Sequence, residues 1–103
     1  MYDQMITLIS KLESTDEYGD TNTEEKKRTV YAELMSIGQK EFYQAGALGL
    51  KPELKFKIAD YLDYEDEEII VYNGKRYRVL RVYKTHSNEL EITVHGGVKD
   101  VGA

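Results

Sequence analysis

Hydrophobic and polar positions alternate with a period of two along most of the chain. That period predicts strands, because successive side chains of a strand point to opposite faces. Residues 5–12 place Ile6, Leu8 and Leu12 on one face and Thr7 and Lys11 on the other, which predicts a first strand. Turn formers fill residues 16–22, so a mobile hairpin tip is expected from there to about Glu25. A second strand is predicted over residues 27–37. It sets Val30, Ala32 and Leu34 against Tyr31, Met35 and Ile37, so both of its faces are expected to be partly covered. The most regular alternation spans residues 53–59, with Leu54, Phe56 and Ile58 inward and Lys55 and Lys57 outward. Pro52 stands at the start of that strand, where a missing N–H is tolerated.

The second half of the pattern centres on Asn73-Gly74, flanked by the β-rich runs 69–72 and 75–83. A two-residue Asn-Gly loop signals a type I′ hairpin, because both central positions need a positive φ. Its register follows: Tyr72 opposite Lys75, Ile70 opposite Tyr77, Ile69 opposite Arg78. Parity then changes, since Tyr77 and Val79 share one face and Leu80 and Val82 the other. A β-bulge near Val79-Leu80 explains this, and so does burial on both faces. His86-Ser87-Asn88 reads as a turn, and residues 89–95 as the last strand with Leu90, Ile92 and Val94 inward. Residues 96–103 read as a flexible C-terminal tail.

Only residues 38–51 break the period of two. Gln39-Lys40-Glu41-Phe42-Tyr43-Gln44-Ala45 holds good helix formers and no β-branched residue, which predicts one or two helical turns ended by Gly46 and Gly49. The fold class expected is therefore mainly all-β: a small barrel of about six antiparallel strands with one short helix or arm between the second and third. A barrel also removes the exposed edges that so strand-rich a chain must manage. The length of 103 residues suits a single domain, a barrel over 1–95 carrying the arm 38–51, with the tail 96–103. Phe42, Tyr43, Ala45, Ala47, Leu48 and Leu50 are apolar but hinged by glycines. Two readings stay open: a cap over one barrel end, or an arm that orders against a partner.

Composition narrows the function classes. The chain has no cysteine, hence no disulfide framework and no thiolate metal site. No signal segment opens it and no apolar run reaches membrane-spanning length, so a cytosolic origin with no membrane partner is expected. A net charge of −5 argues against a dedicated nucleic-acid binder. Nine tyrosines and no tryptophan suit half-buried strands and interfaces.

Catalytic chemistry finds no support. His86 and His95 stand at opposite ends of a predicted strand and read as exposed strand-end residues. The acidic run 60–68 lacks the spacing and turn glycine of a calcium loop and reads as solvated. Gly46-Ala47-Leu48-Gly49 is followed by no Gly-Lys-Ser/Thr, and no serine sits in a nucleophile elbow. No catalytic, cofactor-binding or metal-ligating residue is assigned, and the chain is expected not to be an enzyme. Lys75, Arg76, Arg78, Arg81 and Lys84, interleaved with Tyr72, Tyr77 and Tyr83, allow three readings. These are a charged outer strand face, a single-stranded nucleic-acid surface on an OB-like barrel, or a charge pairing between copies. In the third, Arg76, Arg78 and Arg81 meet Asp63, Glu65 and Asp66 of a neighbour in a heterologous contact that can close a ring.

Four features resemble the head–tail joining family of tailed phages, also described as head-closure or connector proteins. They are the opening strand 3–9 leading into Asp16-Glu17-Tyr18-Gly19; the strand Arg28-Thr29-Val30-Tyr31-Ala32-Glu33 followed by Ser36-Ile37-Gly38; Glu41-Phe42-Tyr43-Gln44-Ala45-Gly46 with Gly49-Leu50-Lys51-Pro52-Glu53; and the hairpin Tyr72-Asn73-Gly74-Lys75-Arg76-Tyr77. The third is the most specific. The resemblance implies a barrel that assembles as a ring, twelve-fold in this family, beneath the portal or adaptor protein after packaging. The ring closes the channel, lies close to the genomic DNA without reading it, and offers a docking surface to the tail or a tail-terminator protein. It implies residence in the virion, with the host cytoplasm as the place of assembly, and a monomeric or weakly associated isolated protein. It also implies a long loop between the second and third strands that orders on assembly. Here that loop is residues 38–51, so Gln39, Lys40, Glu41, Phe42, Tyr43, Gln44, Leu48, Leu50 and Lys51 are the expected partner contacts.

Overall fold

A computed structural model describes residues 1–15, 17–47 and 49–99 of the chain, with the side chains of residues 14, 22, 41, 42, 44 and 45 outside that description. The described residues form six strands: β1 (Gln4–Thr15), β2 (Thr21–Met35), β3 (Pro52–Ile58), β4 (Ile69–Tyr72), β5 (Lys75–Lys84) and β6 (Leu90–Lys99). One helix, α1 (Gln39–Ala47), lies between β2 and β3, and a short 3₁₀ turn covers Tyr61–Asp63. All neighbouring strands are antiparallel, and the sheet closes on itself in the order β1-β2-β3-β6-β5-β4. The mainly all-β class and the arm's position agree with the alternation read above.

The β4–β5 hairpin sets the register. Asn73 has φ 53° and Gly74 φ 77°, the two positive values a type I′ turn demands. Tyr72 pairs with Lys75, Ile70 with Tyr77 and Ile69 with Arg78, as the turn chemistry requires. The parity change in β5 is a bulge. Val79 opposes Val94 and Arg81 opposes Thr93, leaving Leu80 as the extra residue. Inside the barrel, Ile6, Leu8, Ala32, Phe56, Ile58, Ile70, Tyr77, Leu90, Ile92 and Val94 form the core.

Several expectations need correction. β1 and β2 stay paired out to Thr15↔Thr21, so β2 begins at Thr21 rather than residue 27 and the turn is much shorter than expected. Thr15, Thr21 and Thr23, β-branched residues that favour strands, support the continued pairing. Leu12, expected inward, is 52% exposed, because it lies on the hairpin beyond the last contact with β4. Over residues 27–37, Ala32 is fully buried and Val30, Met35 and Ile37 are half-buried, whereas Leu34 is 45% and Tyr31 62% exposed, so the cover expected on both faces is partial and stops short of those two side chains. Lys55, expected outward, is buried, and its ammonium lies 2.9 Å from Glu91. Helix α1 passes through Gly46 to Ala47, and Gly49, at φ 77°, supplies the left-handed stop.

Strand β6 also runs on to Lys99, so residues 96–99 of the expected tail are strand; residues 100–103 lie outside the described residues. A second bulge makes this extension possible. Arg78 opposes His95 and Arg76 opposes Val98, which leaves Gly96 and Gly97 facing Tyr77 alone. Gly96 takes φ 67°, the left-handed value of a glycine bulge. Gly97 brings its backbone against the Tyr77 ring: a Cβ there would fall 2.9 Å from Tyr77 Cδ1 and 2.8 Å from Glu53 Oε2. Its N–H donates to the Glu53 carboxylate at 3.3 Å. Gly97→Ala is therefore expected to destabilise by about 2 kcal/mol through overpacking. A thermal melt indistinguishable from wild type would show that the ring can move aside.

Candidate assembly surfaces

Helix α1 is the first surface. Its two and a half turns follow from the run of helix formers between Gln39 and Ala47. Its principal contact with the barrel is with β3. Gln39, Lys40 and Lys51 are exposed, Tyr43 is 70% exposed, and Leu50 is half-buried. The side chains of Glu41, Phe42 and Gln44, and Leu48 altogether, lie outside the described residues.

The acidic segment 60–68 is the second surface, and it is not simply solvated. Asp60 caps the 3₁₀ turn by accepting the Leu62 N–H at 2.9 Å. Glu67 is 2% exposed. Its carboxylate accepts from Arg28 Nη2 at 2.7 Å and from the Glu65 N–H at 2.5 Å. Arg28 also donates to the Asp63 carbonyl at 2.6 Å, and Tyr64 donates its hydroxyl to the Glu67 carbonyl at 2.5 Å. Because Arg28 lies opposite Leu8, it belongs to the inner face of β2 and holds the segment across that end of the barrel. The Glu67 hydrogen bond is the main reason the guanidinium is held above its usual pKa, with Glu65 and Asp63 adding to it. Glu65 lies 3.7 Å from Arg28 Nε and 3.9 Å from Lys26. Sequence pattern alone missed this anchor. The only available signal was an arginine at an inward position of β2, which needs a buried acid.

Burial, reinforced by Asp66, Glu67 and Glu68, pushes the Tyr64 phenol up to about 12. Tyr2, whose hydroxyl donates to Glu89, is also pushed up to about 12, chiefly by that bond. A pKa raised on folding means that the native state keeps its proton longer, so stability is fully present below pH ~10 and falls as pH rises towards 12. Phenolate absorbance should show these tyrosines ionising last, and Tyr64→Phe should flatten the alkaline decline. An alkaline stability curve unchanged by that substitution would contradict the burial of Tyr64.

The basic strand β5 is the third surface. Arg76 Nη1 meets Glu25 of β2 at 2.9 Å, a hydrogen bond that holds the Glu25 carboxyl below its usual range. Arg78, Arg81 and Lys84 are exposed, with Lys84 Nζ 4.8 Å from the Tyr61 ring centroid. Arg78 lines a cleft of about 200 Å³ with Lys11, Asp66 and Glu68. Of the residues expected to pair between copies, Arg76 and Glu65 thus have partners within the chain, and the Asp63 carbonyl is engaged by Arg28. Exposed His86 sits in the β5–β6 turn, whereas His95 lies within β6. Among the described residues no cluster of metal-ligating side chains occurs, and no helix is long and apolar enough to cross a membrane.

These features define an all-β protein whose distinguishing groups lie on its outside: an exposed helix, a basic strand and a long hairpin. The sequence model for the phage head completion protein family matches residues 2–96, and the chain belongs to that family. Membership gives the protein a structural role in phage head assembly, a place in the virion, and other phage head or tail proteins as partners. No curated protein matches the chain.

Proposed function

We propose that the protein is a head-closure subunit. Its copies form a ring beneath the portal or adaptor protein, seal the DNA channel after packaging, and present the surface on which the tail or tail terminator docks. The observation that carries this reading is family membership over nearly the whole chain together with helix α1, which stands between β2 and β3 with Lys40 and Tyr43 exposed. A segment attached mainly to one strand can reorder against a partner at little cost to the barrel. The ring, twelve-fold by family resemblance, and the host cytoplasm as assembly site belong to this proposal. Phage lacking the protein are expected to package DNA, lose it from the head and fail to join tails. Heads that keep their DNA and bind tails without it would overturn the reading.

The arm has its own test. Phe42→Ala combined with Tyr43→Ala should shift the stability of the isolated protein by less than about 0.5 kcal/mol. Incorporation into heads should fall about tenfold or more, as for loss of interface anchors. A large drop in melting temperature would instead make these rings part of the barrel's cap.

A further inference from the structure

The two most one-sided charge segments of the chain stand on different parts of the molecule. Residues 12–25 contain six acids (Glu13, Asp16, Glu17, Asp20, Glu24 and Glu25) and no lysine, arginine or histidine. Residues 75–84 contain five bases (Lys75, Arg76, Arg78, Arg81 and Lys84) and no acid.

The fold turns the first segment into a projecting ribbon. Among the described residues, β1 pairs with β4 only at Thr7, Leu8 and Ile9, and β2 pairs with β3 only at Glu33, Leu34 and Met35. The two strands nevertheless pair with each other as far as Thr15↔Thr21. Beyond Ile9 the hairpin therefore runs on for about 20 Å at ~3.3 Å per residue. The molecule is correspondingly elongated, 50 × 30 × 25 Å. Leu12 and Tyr18 are 52% and 82% exposed on this ribbon. On the second segment, Tyr83 is 47% exposed on the same face as Arg78 and Arg81.

Asp66 and Glu68 share a cleft with Arg78, and local pairing accounts for other nearby acids. Glu65 and Glu67 are taken up by Lys26 and Arg28, and Glu25, at the ribbon's base, by Arg76. Among the described residues, Arg78 and Arg81 on β5 and Glu13, Glu17 and Glu24 on the ribbon have no ion-pair partner.

We propose that the outer face of β5 is the docking surface for the acidic β1–β2 ribbon of a second copy of this chain. Charge complementarity selects that occupant, and the exposed apolar groups on both sides give it an unhydrated centre. The contact joins two different surfaces, so each copy offers one ribbon and accepts another, the heterologous arrangement that closes into a ring when the rotation permits. It supplies the copy-to-copy joint that the head-closure reading requires and rests on that reading for its setting, not for its test.

The cysteine-free chain makes that test direct. Tyr18→Cys and Tyr83→Cys variants, both at exposed positions, are mixed at high concentration and low salt and treated with a short bis-maleimide. The mixed 18–83 dimer should predominate over both self-linked dimers and fade as salt is raised, because exposed charge pairs are screened. Arg78→Glu with Arg81→Glu on the Tyr83→Cys chain should abolish it. Glu13→Lys, Glu17→Lys and Glu24→Lys on the Tyr18→Cys chain should restore it with that reversed partner. No linked product, or the three dimers in statistical amounts, overturns the proposal. So does low-salt oligonucleotide binding that Arg81→Glu removes while no mixed dimer forms, which would make β5 a nucleic-acid surface. If the mixed dimer forms but phage carrying the reversed β5 still keep DNA and join tails, the contact stands and the head-closure reading fails.

Discussion

Glu67→Ala is expected to destabilise the isolated protein by about 3 kcal/mol, the lower end of the range for breaking a buried ion pair. The side chain is 2% exposed and accepts from both Arg28 Nη2 and the Glu65 N–H. Alanine strands the guanidinium at an inner position of β2 and leaves the Glu65 N–H without its acceptor. Arg28 is 28% exposed, so water softens the penalty and keeps it from the top of the range. Glu67→Gln should cost less, since it keeps a carbonyl acceptor. Replacing both partners, Arg28→Met with Glu67→Leu, should recover most of the loss, because an apolar pair carries no desolvation cost. The urea midpoint should fall in the single mutant with little change in slope. A midpoint within error of wild type would show that segment 60–68 is not held by this pair.

Phe56→Ala is expected to cost about 4 kcal/mol. Phe56 is fully buried near the middle of β3 and meets the Tyr72 ring edge-on, centroids 5.0 Å apart at 67°. It sits opposite Ile92 on one side and Leu34 on the other, so its removal opens a cavity between strands that cannot slide inward without breaking register. Phe56→Leu, which refills most of the volume, should retain more than half of the lost stability. Equal losses for leucine and alanine would mean that ring geometry, rather than volume, holds the core at Phe56. Tyr72→Phe separates a second contribution, the hydrogen bond from its hydroxyl to Gln4 Oε1 at 2.7 Å.

Much of the barrel was legible because its signals are local. Asn73-Gly74 determines a turn whose geometry admits one register, and that register carried Ile70 and Tyr77 inward together. Alternation at Phe56, Ile58, Leu90, Ile92 and Val94 reports burial directly, since one face of each strand has only the core to meet. The parity break at Leu80 was equally local, and its bulge appeared where two neighbouring apolar pairs disagreed. Residues 38–51 stood out by the same reasoning, as the stretch where the period of two fails, and α1 occupies it. Candidate contacts were less legible. Charge along a strand names residues that want partners but not where those partners are. Arg76 and Glu65, read as reaching between copies, find acids and bases in their own chain.

By itself, then, the sequence determined the mainly all-β class, the central hairpin and its register, the inward-facing core, and the helix-forming break after β2. Each depends on residues a few positions apart, within reach of backbone geometry and side-chain periodicity. Tertiary structure alone decided how far β1 and β2 stay paired, that β6 continues through Gly96 and Gly97 beneath the Tyr77 ring, and that Glu67 is buried on Arg28. The last two join residues 20 to 40 positions apart, Tyr77 to Gly97 and Arg28 to Glu67, and the first depends on a ladder that the barrel anchors at its base. Their free energies come from packing and desolvation that exist only once the strands have closed around the core.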